Sequence, residues 1–185
     1  MRRVLCHWGP NVGAGLIAVD EIFVGREAEQ AFLCRHLAQT VEGMSRVVLI
    51  EGAAGVGKTA LLSAFLARIG HYRVLRASGD ELEAGLAYAM VEQLVAQTGR
   101  PPPERLAAVG TERAADIAPV RIGAALVEML GWLQADGPIV MVLDDAHWGD
   151  IPSLQALGYA MRRLRSSRVL ALLSASVWRA ANPRR

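Results

Sequence analysis

From Arg26 to Ser176 the hydrophobic positions switch repeatedly between two patterns: the three-to-four-residue step of a helix face and the unbroken apolar run of a buried strand. Phe32, Leu33, Leu37 and Val41 predict a helix from Arg26 to about Val41. "RVVLIEG", 46–52, is a short β-branched run that ends at glycine, as a buried strand does. Leu62, Phe65, Leu66 and Ile69 share one face of a second helix, which starts inside a glycine loop and has Gly70 placed to cap its end. "YRVLRASG", 72–79, predicts a second strand. Leu86, Met90, Val91, Leu94 and Val95 predict a third helix that stops at Gly99, before the break "RPPPE". Ile122, Leu126, Met129, Leu130 and Leu133 give a fourth helix, closed by "DGP" at 136–138.

"IVMVLDDAHW" runs five apolar residues into two aspartates, a fully buried strand whose polar end emerges at a sheet edge. Leu154, Leu157, Met161 and Leu164 mark a last helix, and "RVLALLSAS", 168–176, a last strand. Strands alternating with helices imply parallel pairing through right-handed crossovers and a three-layer α/β fold over residues 22–176. Residues 1–21 carry neither period and read as a poorly ordered tail, and 177–185 as a C-terminal tail.

Composition narrows the picture. A chain of 185 residues suits one domain, and 52% hydrophobic with 21% charged residues is a globular balance. The formal charge is +2, and the arginines are scattered apart from Arg162, Arg163, Arg165 and Arg168 and the terminal pairs, so direct DNA binding has no footing. Cys6 and Cys34 lack any metal-ligand spacing and read as free thiols of a reducing compartment. No apolar run approaches the roughly 20 residues that span a bilayer. His7, Gly9, Pro10 and Asn11 interrupt what would be a signal-peptide core, so the expectation is a soluble cytoplasmic chain without membrane contact.

One lysine stands among nineteen arginines. It is Lys58, in "GAAGVGKTALL", where Gly52, Gly57, Lys58 and Thr59 satisfy G-x-x-x-x-G-K-[ST] between a predicted strand and a predicted helix. The glycines let successive N–H groups turn inward onto phosphate oxygens, and the helix adds the positive end of its dipole. A lysine is a compact charge on a slim stem that threads such a loop, whereas arginine presents a broad planar fork. Thr59 supplies a hydroxyl for Mg²⁺.

The second half of the site is "IVMVLDDAHWGD". Asp144, at the C-terminal end of its strand, is placed to hold Mg²⁺, and Asp145 to orient or deprotonate an attacking water. His147 reads as packing beside Trp148 in preference to a γ-phosphate contact or a proton relay, and Trp148 as a structural plug. Asp150 reads as the cap of the helix starting near Ile151. Arg162 and Arg163 read as a solvated helix face in preference to arginine fingers.

Four segments in this order, "FVGRE", "GAAGVGKTALL", "VLRASGDELEAGLAYAMVEQL" and "IVMVLDDAHWGDIPSLQALGYAMRRL", resemble the N-terminal AAA-type ATPase module of large LuxR-family transcriptional regulators. That module belongs to the signal-transducing STAND class and is similar to the origin-recognition type of AAA domain. The resemblance implies an additional-strand P-loop fold with strand order 1-4-3-2. It implies that Val24, Gly25, Arg26 and Glu27 form an adenine-side segment and that Gly52, Ala53, Ala54, Gly55, Val56, Gly57, Lys58, Thr59 and Ala60 embrace the phosphates of ATP. Asp144 and Asp145 would surround Mg²⁺ and the water.

The chain stops eleven residues after Ser174, so the resemblance predicts a truncated module lacking the fifth strand, the helical lid and a helix-turn-helix. Ser174 or Ser176 would stand in for the residue that senses the γ-phosphate, with Arg179 about a turn too far along. The function expected is Mg²⁺-dependent ATP binding with slow or no hydrolysis. The alternatives are a non-catalytic fragment that self-associates or docks onto a related ATPase or regulator through the unpaired edge of its glycine-loop strand, or an inactive gene remnant.

Overall fold

The computed structural model describes residues 26–111 and 113–176, together with the backbone of 2–6 and 17–19. Strands are β1 (Arg2–Cys6), β2 (Ile17–Val19), β3 (Arg46–Gly52), β4 (Arg73–Ser78), β5 (Ile139–Asp144) and β6 (Val169–Ser176). Helices are α1 (Glu27–Val41), α2 (Lys58–Arg68), α3 (Ala89–Ala96), α4 (Pro119–Leu133) and α5 (Ile151–Arg163). Short 3₁₀ turns at Glu104–Leu106, Ala114–Asp116, Gln134–Asp136 and Ala146–Trp148 join them.

The sheet runs β2-β1-β3-β6-β5-β4. Its four parallel strands, β3-β6-β5-β4, stand in the order 1-4-3-2 expected of the P-loop plan. In register, Gly52 lies opposite Ser176, Ile50 opposite Ser174, and Ser78 opposite Asp144. The glycine loop, the two serines and the aspartates therefore leave the sheet at one edge, where ligands collect in open α/β sheets.

Alternation along the central strands divides the core. Ile139, Met141 and Leu143 of β5, with Val169 and Ala171 of β6, pack under α3, α4 and α5. Val140, Val142, Leu170 and Leu172 face α1 and α2, where they meet Leu33, Leu37, Leu62 and Phe65. Both faces of β5 are buried, which is why its sequence is an unbroken apolar run instead of an alternation. Each such side chain stabilises the fold by about 1.5–3 kcal/mol when fully buried.

Three boundaries differ from expectation. The third helix begins at Ala89, and Leu86, expected on its buried face, is 59% exposed in the turns that precede it. Tyr88 stops the helix from extending backwards, since its φ of +66° is left-handed. Gly70 does not take the left-handed cap conformation; the end of α2 instead closes with the Ile69 N–H donating to the Leu66 carbonyl. Finally, the first 21 residues, read as a tail without an element, contribute β1 and β2.

β1 pairs antiparallel with β3, Val4 opposite Ile50, and covers the edge expected to be unpaired. An edge is paired through main-chain groups, which leave no periodic signature in so short a segment. No helix among the described residues is long and apolar enough to cross a membrane.

Candidate functional site

β3 ends at Gly52 and α2 begins at Lys58, so the intervening chain reverses within five residues. Gly55 (φ +74°) and Gly57 (φ +78°) make that possible by adopting left-handed backbone, which is costly for any residue with a Cβ. Gly57 is also the N-cap of α2 and offers no side-chain acceptor, so the first amide groups of the helix are left for an anion.

Lys58, 7% exposed, threads back under the loop: Nζ donates to the carbonyls of Gly52 (3.1 Å) and Ala53 (3.1 Å) and to Ser176 Oγ (3.0 Å). Three acceptors match the three donors of an ammonium group. A planar fork of five donors has no counterpart arrangement there, which accounts for lysine in a chain that otherwise uses arginine.

The acidic side is organised around Asp144. Thr59 Oγ1 donates to Asp144 Oδ2 (2.9 Å), the Ser174 hydroxyl donates to Oδ1, and the Asp145 N–H donates to Oδ1 (3.1 Å) and to Ser174 Oγ (3.0 Å). Asp145 itself is left-handed at φ +46°, a conformation that costs of order 1–3 kcal/mol in a non-glycine residue. The turn it starts is clamped. The Trp148 N–H donates to the Asp145 carbonyl (2.9 Å), and the backbone of Gly79 lies so near that an added Cβ would stand 2.5 Å from the Asp145 carbonyl oxygen.

Asp150 closes the same turn. It accepts from Ser153 N (2.8 Å), as a cap of α5 must, and also from Tyr88 N (2.8 Å) and Met90 N (3.1 Å) at the start of α3.

Lys58, Thr59, Asp145, His147 and Ser176 line one cleft of about 440 Å³ with Ala54, Gly55, Gly57 and Trp148. His147 lines this cleft as well as packing beside Trp148: its Nδ1 accepts from the Ser176 N–H at 3.3 Å and stands 3.9 Å from Asp145 Oδ1. Trp148 is a rim residue, 37% exposed with its ring centroid 5.2 Å from that of His147, and not a plug.

Arg26 reaches the glycine loop directly. Its guanidinium donates to the Gly57 carbonyl (2.6 Å) and the Val56 carbonyl, bracing the loop from behind. Arg26 also lines a second cleft of about 520 Å³, between α1 and α2, with Glu27, Gln30, Gly57, Ala60 and Leu61. Val24 and Gly25 lie outside the described residues, as does Arg179. Arg162 and Arg163 are exposed on α5, the guanidinium of Arg163 stacked 3.4 Å from the centroid of Tyr159.

The donor set suits a hard cation. The Thr59 hydroxyl and the Asp144 carboxylate are adjacent oxygens, and Mg²⁺ takes one or two such ligands with the remainder from phosphate and water. Among the described residues no cluster of three or more His, Cys, Asp or Glu forms an all-protein cage, so the cation would arrive with its phosphate ligand. Sequence reasoning did not foresee the brace formed by Arg26. Ser174 and Ser176, alternatives for one role in the sequence, take two separate contacts, with Asp144 and with Lys58. Their i, i+2 spacing at a strand end was the available signal.

Residues 22–173 match the family described as the AAA ATPase domain. A search of curated proteins finds no match. Among solved structures, a chain of Drosophila ORC bound to DNA is similar at 22% identity with a TM-score of 0.57, covering 84% of this chain and 38% of its own. Drosophila ORC bound to GC-rich DNA and Cdc6 aligns at 13% identity and TM-score 0.46, over 88% of this chain and 55% of its own. C. elegans PCH-2 aligns at 11% and 0.45, over 84% and 38%. The present chain thus spans well under half of the first of these, and the likeness speaks for the fold.

Proposed function

We propose, for a chain that belongs to the AAA ATPase domain family, that it binds ATP with Mg²⁺ in the cleft above β3, β6 and β5 and on its own hydrolyses it slowly or not at all. The observation that carries this reading is the convergence of four groups from three elements, α2, β5 and β6: the Lys58 ammonium on Ser176, and the Thr59 hydroxyl on Asp144. Loop amides from Gly52 to Ala60 and the start of α2 would take the phosphates. Lys58 would exchange one of its three internal acceptors for a phosphate oxygen.

Thr59 and Asp144 would hold Mg²⁺, which supplies neutralising charge across the phosphate oxygens. Asp145, half-exposed at the cleft, would orient the water. The second cleft, beside Gly57 and Ala60, has the position and apolar floor for the adenine ring, with Arg26 and Glu27 at its mouth.

Slow turnover follows from what the cleft lacks. Phosphoryl transfer depends on positioning and on charge supplied to the transition state, and an arginine finger contributes about 10³–10⁵ in rate. No arginine is among the described residues that line this cleft. The order of the four sequence motifs further supports a cytoplasmic origin in a signal-responsive regulator of the LuxR family, with DNA contact made elsewhere than on this chain.

A thermal-shift series tests the reading, because a ligand that binds only the folded state raises its midpoint. ATP and ADP with Mg²⁺ should both raise it while adenosine leaves it in place. A midpoint indifferent to all three sinks the proposal. In a phosphate-release assay, turnover matching a complete ATPase and abolished by Asp145→Asn would refute the slow part.

A further inference from the structure

We propose that His147 is a ligand of the terminal phosphate, donating from Nε2, and so makes the site prefer a nucleoside triphosphate to a diphosphate. The inference rests on the nucleotide-binding reading and deepens it.

It begins at Ser176, the last residue of β6, which stands opposite Gly52 in the sheet register and so beside the start of the glycine loop. Two groups converge on this one residue. Its hydroxyl accepts from the Lys58 ammonium at 3.0 Å, and its N–H donates to His147 Nδ1 at 3.3 Å. Once Nδ1 accepts, the proton of a neutral imidazole is on Nε2, and the ring presents a donor on its far side. Asp145 Oδ1, at 3.9 Å from Nδ1, is beyond hydrogen-bonding distance and does not compete for that nitrogen.

The ring is held in place. His147 sits in the turn Ala146–Trp148, closed by the Trp148 N–H on the Asp145 carbonyl (2.9 Å) and the Gly149 N–H on the Ala146 carbonyl (3.1 Å). The close approach of Gly79 to Gly149 and Trp148 fixes the turn from behind. The side chain remains 27% exposed, and it opens on the cleft that Lys58, Thr59 and Asp145 share.

A phosphate wrapped by the loop amides lies at the start of α2. The next phosphate outward would extend toward Asp145, the residue proposed to orient the water, and His147 Nδ1 stands 3.9 Å from its Oδ1 in the same cleft. A diphosphate would end before it. Lysine and the loop thus read phosphate in general, and histidine reads the last one.

The test is equilibrium affinity for a non-hydrolysable ATP analogue and for ADP, both with Mg²⁺, in the parent, His147→Ala, His147→Gln and Lys58→Ala, with matching thermal melts as a fold control. His147→Ala should weaken the triphosphate analogue about ten- to a hundredfold, the size of one hydrogen bond to a charged group, and leave ADP within about twofold. His147→Gln, whose amide is a donor, should recover part of the loss. Equal weakening of both ligands, or none, overturns the proposal. Loss of both ligands in Lys58→Ala supports the shared site, while a parent protein that binds neither ligand overturns the nucleotide reading and this one with it.

Discussion

Lys58 shows how far a single side chain is constrained. Its three hydrogen bonds are to two loop carbonyls and a serine hydroxyl that stand around a nearly buried ammonium, so charge alone does not specify it. Lys58→Arg should therefore lose at least tenfold in ATP affinity, nearly as much as Lys58→Ala, when the two are titrated side by side. His36 bears on pH. Burial foremost, with Arg46 and Arg35 adding to it, lowers its pKa below 6.5. The unfolded chain then takes up the proton first, so stability present above about pH 6.5 is lost as pH falls through the lowered folded value. Urea midpoints should drop between pH 7 and pH 5 in the parent, and His36→Gln should flatten that slope.

Lys58, Thr59 and Asp144 were legible in the sequence because each lies in a short motif with its element attached. Arg26 was not, because the carbonyls it braces are about thirty positions away and nothing local marks them.

Between elements, Asp150 ties together two helix starts that lie far apart in the sequence. It is 2% exposed and accepts three backbone N–H groups, joining the starts of α5 and α3. The cap of α5 was readable from "GDIP", since Asp before a helix is a local signal. The two bonds to α3 were not, because they connect residues sixty positions apart and depend on Tyr88 turning left-handed. The same turn explains why α3 starts later than its apolar spacing suggested.

Asp150→Ala would leave three buried donors without their acceptor and should cost about 3 kcal/mol in urea unfolding, with Asp150→Asn losing less. Gly79→Ala drives a Cβ against backbone at 2.5 Å, with no flexible side chain to give way. A loss of about 2 kcal/mol is expected, in the range of overpacked sites. No loss in either variant would refute the clamped turn.

Across the whole molecule, the fully buried strands carried the fold assignment. β5 and β6 have both faces covered, and continuous apolar runs of that kind set four parallel strands between two helical layers. Strand order was reached through family resemblance, since hydrophobic pattern does not say which strands are neighbours. β1 was invisible for a related reason: it attaches through backbone to the edge of β3. Deleting residues 2–20 should expose that edge and give concentration-dependent association in sedimentation velocity, whereas a monomer at all concentrations would show the edge needs no cover.

The central claim is that the cleft at the C-terminal ends of β3, β6 and β5, with Lys58 beneath the loop, binds a nucleotide. Its most direct test is the titration of the folded chain with a fluorescent ATP analogue in Mg²⁺, with Lys58→Ala alongside. Saturable binding by the parent, lost in the variant, is the predicted result. Two folded proteins that both fail to bind, or that bind equally well, would contradict it.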